Sequence, residues 1–106
     1  MPASDLTGYR LTPAAQNDLT DIWLYTAQKW SPQQADRYTD ILEDTFDRLL
    51  FMPEMARERP EFDPPVRIHP SAEHLVVYRI ERDYLAILRV LGAGRDWQAV
   101  LRAADQ

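Results

Sequence analysis

The sequence predicts an α+β fold, in which an N-terminal strand and an antiparallel helix hairpin pack on a small, mainly antiparallel sheet in the order β-α-α-β-β-β, with a short C-terminal helix. Three observations predict it. Apolar residues recur at helical spacing in two adjacent stretches, alternating apolar residues fill later segments, and the 106 residues, 45% of them hydrophobic, suffice for one core. We expect residues 1–106 to form a single domain, with residues 1–7 as a frayed terminus.

The first strand and the first helix are predicted close to the N-terminus. Residues 9–11 are a short strand candidate, and Thr12 then offers a capping hydroxyl directly before Pro13, which suits the first turn of a helix. The helix should extend over residues 13–29. Its buried stripe is predicted to be Ala15, Leu19, Ile22, Trp23 and Thr26. Asp18 falls elsewhere on the helical wheel and is expected to face water.

A second helix is predicted over residues 32–51. Ser31 can cap it, Pro32 fits its first turn, and Gln34 occupies the third position of a capping box. Its buried stripe is predicted to be Ala35, Tyr38, Leu42, Phe46 and Leu49. Because so few residues separate the helices, they should form an antiparallel hairpin. The proline-rich stretch 53–65 is predicted to be a loop.

Three strands are predicted next, over residues 66–69, 75–80 and 84–90, the last two joined by a tight hairpin. Pairing Ile80 with Tyr84 puts Val76, Tyr78 and Leu88 on the face that meets the helices. The opposite face then carries an apolar patch made of Leu75, Val77, Leu85 and Ile87. A bare patch of this kind invites aggregation, so something should cover it. The two candidates are a partner protein and the chain's own final helix, predicted over residues 96–103.

The sequence predicts no catalytic residue, no metal site and no cofactor. The chain has no cysteine, its three glycines make no phosphate loop, and Ser71 lacks the context of a nucleophile. His69 and His74 lie around a turn without a third ligand in a suitable place. Closely spaced aspartates on the helices are expected to be solvated side chains.

One cluster of charged residues on the C-terminal strands is a candidate target-binding surface. Its members are Arg67, His74, Arg79, Arg89, Arg95 and Asp96. On the residues alone, two interpretations stay open: the cluster grips an acidic group of a partner, or it protects the sheet edge against aggregation. Trp97 could anchor a partner, since tryptophan is favoured at interface hot spots, and Trp30 is expected to lie partly at a rim.

The overall charge and the absence of long apolar runs limit the surroundings of the chain. The net charge of −5 argues against direct DNA binding. No apolar run approaches the ~20 residues that span a bilayer, and the first residues lack the pattern of a signal peptide. We therefore expect no membrane association and a cytoplasmic location.

Several segments, in their order and spacing, resemble the ParE branch of the RelE/ParE toxin superfamily. The resemblance spans about residues 8–102. It is carried by Tyr9-Arg10-Leu11-Thr12-Pro13-Ala14-Ala15, by Asp18-Leu19, Asp21-Ile22-Trp23 and Tyr25, by Trp30-Ser31-Pro32-Gln33-Gln34-Ala35, by His74-Leu75-Val76-Val77-Tyr78-Arg79, and by Ile87-Leu88-Arg89-Val90-Leu91.

This resemblance implies the toxin component of a type II toxin–antitoxin pair. Such a toxin is expected to inhibit DNA gyrase and to be neutralised by a ParD-like antitoxin, whose flexible segment folds on binding to give a hetero-oligomer. On this interpretation the chain is not an enzyme. Target-binding candidates are Arg67, His74, Arg79, Arg89, Arg95, Asp96 and Trp97. Antitoxin-binding candidates are Leu75, Val77, Leu85, Ile87 and Trp30.

Two alternatives follow from the same resemblance. RelE-like relatives cut mRNA on the ribosome with several basic residues and, in some members, a C-terminal tyrosine. Here Leu101 aligns with that tyrosine and the sheet has no lysine, although His74 and Arg95 match two of the basic positions. The other alternative is a non-toxic relative that still binds antitoxin. It is suggested by Gly92, which stands where many members have histidine.

Overall fold

The computed structural model describes residues 6–104 and confirms the predicted α+β architecture. A strand precedes two long helices, a single 3₁₀ turn follows them, four more strands come next, and a short helix ends the described chain. In order, the elements are β1 (Tyr9–Leu11), α1 (Pro13–Lys29), α2 (Pro32–Phe51), the 3₁₀ turn (Pro53–Met55), β2 (Glu58–Arg59), β3 (Val66–Ser71), β4 (His74–Ile80), β5 (Leu85–Gly92) and α3 (Trp97–Ala104).

Both long helices begin at the residues that the sequence predicts. The Thr12 hydroxyl accepts a hydrogen bond from the Ala15 backbone N–H at 3.1 Å, and the Ser31 hydroxyl accepts one from the Gln34 N–H at 3.0 Å. Each bond satisfies a donor that would have no partner within the helix. The predicted bounds of α1 and α2 are therefore confirmed.

The five strands form one sheet in the order β1-β5-β4-β3-β2. The strand β1 lies parallel to β5, and the other neighbours are antiparallel. Because β1 pairs only with residues 85–87, it leaves the second half of β5 without a neighbouring strand on that side. The predicted loop 53–65 contains the 3₁₀ turn and the two-residue β2, which are too short to give a periodic signal.

The predicted pairing of β4 with β5 is wrong by one residue. Ile80 lies opposite Leu85 rather than Tyr84, because the turn closes with a hydrogen bond from the Glu81 N–H to the Tyr84 carbonyl and keeps Tyr84 out of the strand. A β-bulge then skips Leu88, so that Val77 lies opposite Arg89. A shift of one residue moves every side chain of a strand to the other face.

The corrected register changes which residues form the core under the helices. Leu85 and Ile87, predicted on the outer face, are fully buried on the helix side, whereas Leu88, predicted under the helices, lies on the outer side. The helix-side core also contains Leu42, Phe46, Leu49, Val76 and Tyr78. Trp23, predicted as core, is only half-buried, and its Nε1–H donates to Asp36 at 2.9 Å.

A second, smaller core covers the outer face of the sheet. It joins Val66, Val77 and Leu91 of the sheet to Phe62 and Leu101, with Trp97 and Val100 packed against them. The chain's own α3 therefore covers the outer face at Val77, whereas Leu85 and Ile87 of the predicted apolar patch lie on the helix side. Of the terminus predicted to fray, Leu6 packs against the helix-side core and Thr7 donates to the Asp83 carbonyl, so those two residues are held; residues 1–5 lie outside the described residues.

Candidate functional site

A groove of about 860 Å³ lies between α1, the start of β4, the end of β5 and α3. It opens along the part of β5 that β1 does not reach. Four of the predicted target-binding residues line it, namely His74, Arg89, Arg95 and Trp97. The groove is therefore the place where the structure gathers the largest part of the predicted site.

Arg89 is held in this groove by Asp18 of α1. Its Nε–H and one Nη2–H donate to the two Asp18 carboxylate oxygens at 2.8 and 2.9 Å. The Val90 backbone N–H donates to the same carboxylate at 2.9 Å. The prediction that Asp18 faces water is wrong, because α1 crosses the open edge of β5 and brings the carboxylate to it. The hydrogen bond to Asp18 raises the pKa of Arg89.

The start of α1 also fixes the bulge beside Arg89. The Thr12 N–H donates to the Ile87 carbonyl at 3.0 Å, and the Thr12 hydroxyl donates to the Leu88 carbonyl at 2.7 Å. The same hydroxyl caps α1, so one side chain joins the helix start to the irregular point of the strand. Thr12 and Asp18 together hold Leu88, Arg89 and Val90 in place.

His74 forms a pair with Tyr38 at the base of the groove. The Tyr38 hydroxyl lies 2.6 Å from His74 Nδ1 and accepts a hydrogen bond from the Glu73 backbone N–H at 3.1 Å. Which of these two atoms donates to the other depends on the tautomer of His74. Burial lowers the pKa of His74, although the charges of Glu73 and Asp18 act in the opposite direction.

Arg95 lies at the other side of the groove, beyond the end of β5. Its side-chain stem passes over Gly92: a Cβ added to that glycine would meet Arg95 Cγ at 3.6 Å. No carboxylate oxygen lies within 4.0 Å of the Arg95 guanidinium among residues 6–104. The neighbouring Asp96 instead caps α3, since its carboxylate accepts from the Ala99 N–H at 3.3 Å.

The other two predicted target-binding arginines lie elsewhere, around a second depression of about 510 Å³. Arg67 donates to the Ala56 carbonyl at 2.7 Å, and Arg79 forms a salt bridge with Glu81 at 2.8 Å. Both side chains are occupied by local contacts. The structure thus divides the predicted cationic cluster into two groups.

The predicted antitoxin-binding residues are also separated. Trp30 is 70% exposed and lines the groove, and Leu75 is half-buried. Val77, Leu85 and Ile87 are fully buried, so they are not surface residues of this structure. The groove-lining residues that the sequence analysis missed include Tyr38, Tyr25 and Lys29. The periodicity of apolar residues along α1 and α2 does not indicate that these helices lie next to the end of β5.

Within residues 6–104, no group of three or more histidine, cysteine, aspartate or glutamate side chains could hold a metal ion. Over the same residues, no helix has both the length and the apolar character needed to cross a bilayer.

Residues 9–97 match the family model described as ParE toxin of type II toxin–antitoxin system, parDE. The chain belongs to the ParE toxin family. The matched segment begins at β1 and ends at the first residue of α3, so it includes most of the residues that line the groove. This ParE-family chain is accordingly a toxin of the type II toxin–antitoxin class.

Two curated relatives agree with that assignment, and a solved structure has the same fold. Toxin ParE1 of Mycobacterium tuberculosis is 33% identical over 84 residues, which cover 78% of this chain and 86% of the relative. Toxin ParE1 of Caulobacter vibrioides is 35% identical over 72 residues, 68% of this chain and 75% of the relative. A solved structure of a chromosomal ParDE system from P. aeruginosa shares the fold of this ParE-family chain, with a TM-score of 0.72 at 19% identity, covering 83% of this chain and 96% of that one.

Proposed function

We propose that this ParE-family toxin inhibits DNA gyrase by binding to it and is neutralised by a ParD-like antitoxin. One observation carries the proposal: the groove brings His74, Arg89, Arg95 and Trp97 together with the exposed Trp30. Tryptophan and arginine are the residues most enriched in the energetic centres of protein interfaces. A groove lined by both suits a protein segment better than a small metabolite.

The antitoxin is proposed to bind the same groove and thereby to compete with the target. The solved relative from P. aeruginosa comes from a ParDE system, which supports a ParD-like partner and a toxin–antitoxin hetero-oligomer. Because α3 already covers the outer sheet face, the antitoxin cannot use the fully buried Val77 without displacing that helix. Trp30 remains as its exposed anchor. A cytoplasmic location and the absence of direct DNA binding belong to the same proposal.

The proposal treats the toxin as a binding protein and not as an enzyme. General acid–base chemistry needs a proton donor and an acceptor poised at the reacting group. Asp18 is engaged by Arg89 and a backbone N–H, and Leu101, at the position where a tyrosine would be expected, is a buried member of the outer core. Arg67 and Arg79 are proposed to make a second contact with the target, away from the groove.

One observation favours a second function, ribosome-dependent mRNA cleavage. The Tyr38 hydroxyl lies 2.6 Å from His74 Nδ1, and burial lowers the pKa of His74, in a groove that also contains Arg89 and Arg95. A neutral histidine beside cations can act as a base in RNA cleavage. Codon-specific cuts in mRNA on translating ribosomes that disappear in His74→Gln would favour this second function over the first.

A gyrase supercoiling assay with purified toxin tests the first function. We expect the unaltered chain to inhibit supercoiling and Arg95→Ala to weaken inhibition at least about tenfold, as loss of a hot-spot side chain does. Arg82→Ala is the matched control, because Arg82 is exposed in the β4–β5 turn and does not line the groove. It should inhibit like the unaltered chain. Supercoiling that proceeds normally with the unaltered toxin would contradict the proposal.

A further inference from the structure

Arg89 has hydrogen-bond donors left over after its contact with Asp18. The contact uses Nε–H and one N–H of Nη2. The Nη1 group and the second N–H of Nη2 have no acceptor among residues 6–104. The side chain is 25% exposed and lines the groove, so those donors are accessible to a bound partner.

The direction of these donors is fixed. A planar guanidinium held at two nitrogens by one carboxylate cannot rotate without breaking both bonds. Asp18 in turn is fixed by the Val90 N–H and is only 13% exposed, so water competes weakly for it. Arg89 therefore keeps one orientation before any partner binds. Binding then carries no conformational-entropy cost for ordering this side chain.

The charged side chains around Arg89 are of both signs. Lys29 and Arg95 line the same groove, and neither has a carboxylate within 4.0 Å among the described residues. Asp21 and Glu73 also line the groove and are exposed, as Lys29 and Arg95 are. An anionic group is favoured by the unused N–H donors of Arg89, whose direction is fixed. Since arginine binds planar carboxylates through paired N–H groups, an acidic side chain fits the position next to Arg89.

We propose that Arg89 receives an acidic side chain of the protein that the groove binds, and that Asp18 is the positioning residue for this contact. The inference rests on the proposed function, since it assumes that the occupant of the groove is a protein segment. It assigns to Asp18 a role that a surface position on α1 would not suggest. The competing explanation is that the Asp18–Arg89 pair only stabilises the fold.

The first experiment uses N-acetylglutamate amide as the ligand and N-acetylglutamine amide as its uncharged counterpart. The NMR signals of Arg89 Nε–H and of the Val90 backbone N–H report binding to the toxin. We expect both signals to shift with the carboxylate ligand at millimolar concentrations, and the amide ligand to bind at least about tenfold more weakly. Equal shifts with the two ligands, or tighter binding of inorganic phosphate, would overturn the assignment of an acidic protein side chain.

Substitutions then separate positioning from stability. Asp18→Asn should weaken carboxylate binding about tenfold, and Arg89→Lys should do the same although it keeps a charge for Asp18. Asp40→Asn is the control: Asp40 is exposed on α2, does not line the groove, and should bind like the unaltered chain. A melting temperature lowered in Asp18→Asn with unchanged carboxylate affinity would show that the pair is only structural.

The second experiment measures inhibition of gyrase by the same variants. If Asp18 acts through Arg89, the double variant with Asp18→Asn and Arg89→Lys should inhibit gyrase as well as the single variant that inhibits it less. If the two residues act independently, the fold-losses of the two single variants should multiply in the double variant. Multiplied losses would overturn the positioning role. A toxin that binds the carboxylate ligand at Arg89 but leaves gyrase active would contradict the proposed function and keep the assignment of Arg89.

Discussion

At the residue scale, the groove depends on a few polar side chains whose partners are far away in sequence. Asp18 reaches Arg89, and Tyr38 reaches His74. A buried polar group without a partner is costly, so each member of such a pair stabilises the position of the other. Loss of one member of a pair should therefore change the position and the protonation of the other member.

The protonation of His74 should make stability depend on pH. Burial lowers the pKa of His74 in the folded chain below its ordinary value of 6.5, and burial also lowers the pKa of His69, on which the charge of Arg48 acts in the same direction. As pH falls through 6.5, the unfolded chain binds protons more readily than the folded chain, so the free energy of unfolding decreases. Above that pH the two states are equally unprotonated at these histidines, and the effect disappears.

Urea unfolding between pH 7.5 and about pH 5.5 checks this expectation. His74→Gln should flatten the pH dependence, because only His69 then contributes among the two histidines. The double variant with His69→Gln should flatten it further. A pH dependence that is unchanged in His74→Gln would show that the histidine is not desolvated in the folded chain.

At the element scale, packing of α2 on the sheet is the main contribution to the helix-side core. Phe46 is fully buried there and meets the ring of Tyr9 edge-on, with centroids 5.4 Å apart. Leu42 and Leu49 lie one turn away on either side. Since all three come from one face of α2, the hydrophobic stripe that was visible in the sequence is also the face that is buried.

Truncation of Phe46 should therefore cost far more stability than truncation of a neighbouring phenylalanine. Phe46→Ala is expected to lower the free energy of unfolding by about 3–5 kcal/mol, which is the usual cost of emptying a core position. Phe51→Ala is the matched control, because Phe51 ends the same helix and is 81% exposed. Its cost should stay within about 0.5 kcal/mol in urea unfolding. Similar losses for both variants would contradict the packing described above.

At the scale of the whole molecule, the sheet is covered on both faces by the chain itself. The helix hairpin covers one face, and α3 with Phe62 covers the other. The groove lies between these two covers, along the part of β5 that β1 does not reach. A partner can therefore contact α1, β5 and α3 at once without displacing any of them.

Because the chain covers both faces of its sheet, a charge placed in the outer core should destabilise the fold. Val77→Glu should unfold much of the chain, because a carboxylate with 0% exposure and no partner costs several kcal/mol, a large part of the stability of a small domain. Ile41→Glu provides the comparison, since Ile41 is 46% exposed on α2. Circular dichroism melts of both variants check the prediction. A folded Val77→Glu chain that fails only in antitoxin binding would mean that α3 leaves the outer face free for the antitoxin.

The sequence by itself determined the helices, most of the strands and the family. Capping residues act within one turn, and apolar periodicity reports which face of a helix is buried, so local patterns sufficed for α1 and α2. The resemblance to ParE toxins likewise needed only the order and spacing of short segments, which the match over residues 9–97 confirms. Four members of the predicted site do line one groove: His74, Arg89, Arg95 and Trp97.

Only the tertiary structure decided the register of β5, the cover of the outer face and the partners of Asp18 and Tyr38. The register depends on one residue of turn length and on a bulge at Leu88, and neither changes the alternating pattern enough to be seen in the sequence. The contact between Asp18 and Arg89 joins residues 71 positions apart. Pairings of that range follow from how whole elements pack, because no local propensity records which strand edge a helix will cross.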